Sequence, residues 1–236
     1  MPVPLRSASR HLPPGLVILH EDRDIIVVDK PAGMLTMASE TEKVRTAYHA
    51  LTDYVRKGNP KSRYRIFIVH RLDRETSGVV IFAKTGEAKK ALQEGWPDAV
   101  KNYAAVVHGR MDKKSGLVIS HLVESGVHKV YSTREAGLGK LARTAWSVVR
   151  EKGKYSLLDV TLLTGRKHQI RVQMADLGHP VAGDRKYGVK GDGFPRLALH
   201  ARSITFAHPF SGVNMTVDAP VPGVFAQLVG VVGAGE

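Results

Sequence analysis

The sequence predicts an α+β fold, with a mainly antiparallel or mixed central sheet flanked by helices and loops. Two observations carry that prediction. Short β-branched and aromatic runs outnumber the stretches with helical spacing, and most connections between them are short enough for hairpins.

In chain order, residues 1–15 hold Pro2, Pro4, Pro13 and Pro14 and read as an extended lead-in. Val17–Leu19 and Ile25–Lys30 are short strands joined by the turn Glu21-Asp22-Arg23-Asp24, and Pro31-Ala32-Gly33 closes the second. The spacing predicts a helix over Thr46–Arg56, with Ala47, Leu51, Tyr54 and Val55 on one face. Gly58 and Pro60 end it. Ile66–Val69 and Val79–Ala83 read as buried strands. Thr85 caps a helix from Gly86 to about Gly95, with Ala88, Ala91 and Leu92 turned inward.

Lys101–His108 is a strand. Residues 110–140 mix short apolar pieces with Gly, Lys and Ser, and read as hairpins with a mobile insertion. Ala142–Arg150 and Tyr155–Leu163 read as paired strands, because Glu151–Lys154 is short enough for a hairpin. In the stretch 164–180, Ile170, Met174 and Leu177 have helical spacing, and Gly178-His179-Pro180 stops the helix. Arg171 sits about 100° around from Ile170, at the edge of the apolar face, where it can reach inward to a carboxylate. Leu197–Phe206 and Met215–Pro220 are the last strands, and Val224–Val229 is a final helical turn. With no internal repeat, low-complexity block or clear linker, residues 16–230 are expected to form a single domain.

Charge is the strongest compositional clue. Lys and Arg number 35 against 22 Asp and Glu, a net charge of +13. The basic residues are spread along the chain, as at Lys57, Lys61, Arg63 and Arg65, rather than gathered in a tail. That distribution fits a folded surface for a polyanion, nucleic acid first and an anionic membrane surface second. The chain has no cysteine, which excludes disulfides and zinc–thiolate sites and fits a reducing cytoplasm. It has neither an apolar run approaching about 20 residues nor a signal-type start, so a soluble cytoplasmic protein is expected. His179, His200 and His208 lack metal-ligand spacing, and no metal is expected. A monomer is the default expectation.

The densest polar stretch lies between two predicted core strands: His70-Arg71-Leu72-Asp73-Arg74-Glu75-Thr76-Ser77-Gly78. Asp73 stands among His70, Arg71 and Arg74. Positive neighbours favour the charged form of a carboxylate, and a charged Asp on a loop clamped by strands is placed to act as nucleophile or base. The same pattern also occurs as a plain surface ion pair, so this loop alone leaves both readings open.

Four segments together are similar to the RluA family of pseudouridine synthases. Leu19-His20-Glu21-Asp22 through Asp29-Lys30-Pro31-Ala32-Gly33 resembles the family's first motif, and the Asp73 loop its catalytic motif. Lys101-Asn102-Tyr103 resembles its Lys-x-Tyr strand. Thr164-Gly165-Arg166-Lys167-His168-Gln169-Ile170-Arg171, running on to Gly183-Asp184, resembles its third motif. Leu199-His200-Ala201 with His208-Pro209 adds a weaker match.

The resemblance implies the pseudouridine synthase catalytic fold and a cofactor-free isomerisation of uridine in rRNA or tRNA. The N1–C1′ bond breaks, the base rotates, and C5 bonds to C1′. It implies catalytic roles for Asp73, Tyr103 and Arg171. Asp73 attacks the sugar or abstracts its 2′ proton, Tyr103 stacks on the base and serves proton removal from C5, and Arg171 pairs with Asp73. Arg71 fills the gap left by the flipped nucleotide, and Ile170 lines the pocket. His70, Arg166 and His168 complete the substrate-binding set, with both histidines read chiefly as structural hydrogen-bonders. The first motif begins near Leu19, so no N-terminal S4-type RNA-binding domain is expected. Basic surface supplies phosphate contacts, and an arginine wedge with an aromatic platform offsets the cost of unstacking a base. Two other readings compete. One is a noncatalytic basic RNA-binding or assembly protein that keeps this fold. The other is a nucleosidase-like hydrolase, which would need a second carboxylate that only Glu75 offers nearby.

Overall fold

The computed structural model describes residues 12–40, 42–125, 129–133, 135 and 137–230. Most of the expected lead-in and the end of the Gly-rich tail lie outside them. Residues 13–16 form a turn closed by the Leu16 N–H on the Pro13 carbonyl, rather than an extended segment. The chain divides into two compact units, 12–99 with 201–220 and 100–200 with 221–230. No described helix is long and apolar enough to cross a membrane.

In the first unit, β1 (Val17–Glu21) pairs antiparallel with β2 (Ile25–Lys30), and β2 with β4 (Ser77–Ala83). The two-residue β3 (Phe67–Ile68) also pairs with β4. β10 (Leu199–Ala207), most of which falls in this unit, follows β4 in the sheet and carries β11 (Asn214–Asp218). β4 is buried at every position, and β2 at all but Asp29, so both faces of the sheet are covered. This explains their continuous apolar runs. On one face, Ile25, Val27, Val79 and Ile81 pack with Ala88 and Leu92 of α2 (Gly86–Glu94). Thr85 caps α2 as expected, its hydroxyl accepting the Ala88 N–H. Thr46 caps α1 (Ala47–Arg56) through the His49 N–H in the same way.

The second unit is built on an antiparallel sheet in the spatial order β5 (Val100–His108), β9 (Tyr155–Leu162), β8 (Lys140–Lys152), β6 (Ser115–Glu124), β7 (Val130–Thr133). The β8–β9 hairpin turns at Gly153 and Lys154, with φ +56° at Gly153. Within residues 110–140, where hairpins and a mobile insertion were expected, β6 and β7 do form a hairpin, but β6 is a continuous ten-residue strand that also pairs with β8. The reason is visible in its burial. Leu117 and Ile119 face solvent while Leu122 is buried, so no clean apolar face marks the strand. The core joins Ala105, Val107, Leu158, Val160, Ile170 and Met174 with Phe225 and Val229, the last of these from α4 (Ala226–Val229).

α3 (Gln169–Asp176) departs from the expected amphipathic pattern. Its residues 169–174 are all buried, whereas Leu177, assigned to its apolar face, is 42% exposed. Two glutamines make burial all round possible. Gln169 Nε2 donates to the Arg143 carbonyl and Thr144 Oγ1, and Gln173 Nε2 donates to Ser120 Oγ and the Ala142 carbonyl. Their amides replace the water that a polar helix face would otherwise need.

Candidate active site

Asp73, Arg71 and His70 belong to the first unit, and Tyr103, Arg166, His168, Ile170 and Arg171 to the second. The Asp73 loop is held by the segment that follows β2. Thr36 Oγ1 donates to the Leu72 carbonyl at 3.0 Å, and the Leu72 N–H donates back to it at 3.2 Å. The Gly33 N–H donates to the Arg74 carbonyl at 2.8 Å, and Arg74 Nε to the Gly33 carbonyl at 3.0 Å.

Beneath them lies Lys30, whose side chain is fully buried. Its ammonium donates to the carbonyls of Met34 at 2.8 Å, Pro31 at 3.0 Å and Arg74 at 3.4 Å. Three carbonyl dipoles replace its hydration, the condition under which a buried charge is tolerable. Sequence reasoning ended a strand on Lys30 and gave neither Lys30 nor Thr36 a role. The available signal was a lysine ending an otherwise apolar core strand.

On the other side of the loop, the Ile81 N–H donates to His70 Nε2 at 3.0 Å, and the His70 ring stacks on Trp96 with centroids 4.4 Å apart. This imidazole takes up a strand N–H just beyond β3, which accounts for a ladder of only two residues. The Thr76 N–H closes the turn onto the Asp73 carbonyl at 3.2 Å. Gly78 has φ +115°, and a Cβ there would stand 2.2 Å from the Ala201 carbonyl oxygen. Only glycine permits that approach. The backbone is thus fixed on both flanks, while Asp73 is half-buried and Arg71 exposed.

In the second unit, Tyr103 stands on β5 opposite Val160, half-buried against the core. Ile170 and Arg171 open α3, both buried. Arg171 forms a two-pronged pair with Asp184, Nε to Oδ2 at 2.7 Å and Nη2 to Oδ1 at 2.8 Å. Its guanidinium lies 5.2 Å from the Tyr187 ring centroid. Burial pushes the Asp184 carboxyl up, but the Arg171 fork and the N–H groups of Lys186 and Tyr187 more than offset this and hold it below the usual carboxylate range. Asp184 and Tyr187 were not expected from the sequence as partners of this helix.

His168 adopts the left-handed conformation, φ +55°, immediately before α3. Its Nδ1 lies 2.8 Å from the Tyr187 hydroxyl, which also accepts the Val130 N–H. Arg166 is exposed, with Nε on the Leu141 carbonyl at 3.0 Å.

Oxygen and nitrogen atoms of Asp22, Asp24 and His208 come within 4.8 Å of one another, the one grouping among the described residues with the donors for a cation. Both Asp22 oxygens already have protein partners. Oδ1 accepts the N–H groups of Asp24 and Ile25, and Oδ2 lies 2.7 Å from His20 Nε2 and 3.2 Å from His208 Nε2. The cluster acts as a clasp on the β1–β2 turn.

The chemistry-bearing features of the two units are a buttressed carboxylate loop in the first and an arginine locked at the head of a buried helix in the second. The model of the RNA pseudouridylate synthase family matches residues 24–176, a stretch containing the Asp73 loop, β5 and α3. Ribosomal large subunit pseudouridine synthase D of Nitrosomonas europaea is 36% identical over 227 residues, covering 91% of this chain and 64% of that protein. An uncharacterized RNA pseudouridine synthase of Aquifex aeolicus is 34% identical over 242 residues, covering 96% of this chain and 75% of that protein. The solved structure of human RNA pseudouridylate synthase domain containing 4 shares the fold, with a TM-score of 0.73 at 23% identity over 89% of this chain and 90% of that one. The chain belongs to the RNA pseudouridylate synthase family.

Proposed function

We propose that the whole protein converts specific uridines of structured RNA, in rRNA or tRNA, to pseudouridine, with Asp73 as the essential carboxylate. The observation that carries this reading is the contrast at Asp73. The backbone on either side of it, at Leu72 and Arg74, is strapped by the buried Thr36 and Lys30 side chains and by the Gly33 N–H, yet the Asp73 side chain itself stays only half-buried. A plain surface ion pair would have no need of such support.

The reaction conserves every atom. The N1–C1′ bond breaks, the uracil turns, C5 bonds to C1′, and the C5 proton leaves as N1 gains one. No oxidant or group donor is required. Asp73 starts it by attack on the sugar or by removal of the 2′ proton. Tyr103 stacks on the flipped base and assists loss of the C5 proton. Arg171, held by Asp184, is the third catalytic side chain, and Ile170 lines the pocket. Arg71 occupies the space the base vacates. His70 and His168 position backbone, and Arg166 adds an outer contact to the RNA. A monomer acting in the cytoplasm completes the reading.

The test is release of tritium from RNA labelled at uridine C5, taken from cells lacking the gene, followed by mapping of the modified position. Wild type is expected to release label. Asp73→Asn is expected to lower turnover on the order of 10⁴-fold while RNA binding persists. Retained turnover in Asp73→Asn would remove Asp73 from the mechanism.

A further inference from the structure

The first unit holds a cleft of about 710 Å³ lined by Glu21, Arg23, Tyr54, Lys57, Tyr64, Arg65 and Lys84, among others. β4 runs from Ser77, next to the Asp73 loop, to Ala83, so Lys84 and Thr85 place this cleft past its far end. Seven residues of strand separate the two by roughly 20 Å.

The charges in the cleft do not cancel. Glu21 is already satisfied, with Lys84 Nζ 2.7 Å from Oε1 and the Tyr54 hydroxyl donating to Oε2 at 2.8 Å. Arg23, Lys57 and Arg65 remain, all exposed, and among the described residues none of them has an ion-pair partner. Tyr64 lines the same cleft and is 72% exposed. Its backbone is nevertheless anchored: Arg56 Nε donates to its carbonyl at 3.0 Å, and its own N–H donates to Ser62 Oγ at 3.2 Å. Arg65 lies 4.9 Å from the Phe67 ring centroid, which steadies the neighbouring cation.

We propose that this cleft is a second RNA contact, distant from the Asp73 loop, which holds a single-stranded stretch of the substrate. Arg23, Lys57 and Arg65 take its phosphates, and the Tyr64 ring stacks on an unpaired base. An aromatic ring exposed on fixed backbone among uncompensated cations is the arrangement that binds single strands without reading sequence. The proposal rests on RNA being the substrate. It would give a catalytic domain affinity for nucleotides flanking the target uridine.

The experiment measures binding of a fluorescently labelled oligouridine at several salt concentrations. It compares wild type, Lys57→Glu/Arg65→Glu, and the charge-matched control Lys113→Glu/Lys190→Glu, whose positions are also exposed. The cleft variant is expected to bind at least tenfold more weakly, with a salt slope shallower by roughly 0.7 per lost phosphate contact. The control is expected to stay within about threefold of wild type. Equal losses in both variants, or no loss in the cleft variant, would overturn the proposal.

Tyr64→Ala supplies an independent arm, since the exposed ring can be removed without opening the core. It is expected to weaken binding about tenfold with an unchanged salt slope, and Tyr64→Phe to restore it. Wild-type affinity in Tyr64→Ala would exclude stacking. These readouts need no turnover, so absence of tritium release would sink the isomerase reading and leave this test intact.

Discussion

Thr36 and Leu72 exchange two hydrogen bonds through a single hydroxyl, which donates to the Leu72 carbonyl and accepts the Leu72 N–H. Both residues are buried, and Leu72 immediately precedes Asp73. The Thr36 carbonyl also accepts the Tyr48 N–H at 3.0 Å, so the first turn of α1 is tied to the same segment. Thr36→Val keeps the shape and removes the hydroxyl, leaving two backbone groups of Leu72 without that partner. A loss of about 1–3 kcal/mol in unfolding free energy is expected, with a fall in kcat that Thr36→Ser largely reverses. Wild-type kcat in Thr36→Val would show that the tie serves stability alone.

Lys30 acts on the same loop from below. Lys30→Met fills similar space without the ammonium, and frees the carbonyls of Pro31, Met34 and Arg74 from it. Hydrogen bonds to a charged group contribute about 1.5–3 kcal/mol, so destabilisation in at least that range is expected in a urea titration. Turnover at saturating RNA is expected to drop as well, because the loop carrying Asp73 loses its floor. A variant equal to wild type in both measurements would contradict the strap.

These ties explain what could and could not be read in advance. The helices that begin at Thr46 and Thr85 and the β8–β9 hairpin were legible because their signals are local: helical spacing, a capping threonine at Thr85, and a short connection. The Asp73 loop was legible for the same reason, its residues being contiguous. Lys30 was not, because two of the carbonyls that justify its burial come from Met34 and Arg74 and converge only in the fold. α3 was misread in detail because the acceptors that Gln169 Nε2 and Gln173 Nε2 donate to lie on β6 and β8, more than twenty residues away. Helical periodicity carries no trace of polar groups satisfied at that distance.

The Arg171–Asp184 pair gives the protein an acid-sensitive contact. Burial raises the Asp184 carboxyl, but Arg171 and two backbone N–H groups hold it below its ordinary value of 3.8. The unfolded chain therefore takes up this proton at a higher pH than the folded one. The stabilisation is complete above about 3.8 and is lost as pH falls through the depressed folded value. Wild type is expected to lose stability steeply below about pH 4, by denaturant titration across acid pH. Asp184→Asn is expected to be less stable at neutral pH, by on the order of 3 kcal/mol, because the buried Arg171 loses its two-pronged contact with a charged carboxylate. Its stability should also fall less steeply with acid. An unchanged acid slope would mean that other carboxylates govern it.

Tyr103 separates stacking from proton transfer. The ring is half-buried on β5 against the second unit's core, so Tyr103→Phe keeps its packing and its aromatic face. If the hydroxyl assists loss of the C5 proton, the phenylalanine variant should retain RNA affinity and lose roughly 10²–10⁴-fold in turnover. A step after glycosidic cleavage would then be slowed, and rapid-quench analysis is expected to show the rearranged base still attached to the sugar but carrying its C5 hydrogen. Full turnover in Tyr103→Phe would confine Tyr103 to stacking. Tyr103→Leu would then be expected to weaken substrate capture, which separates an aromatic platform from simple core filling.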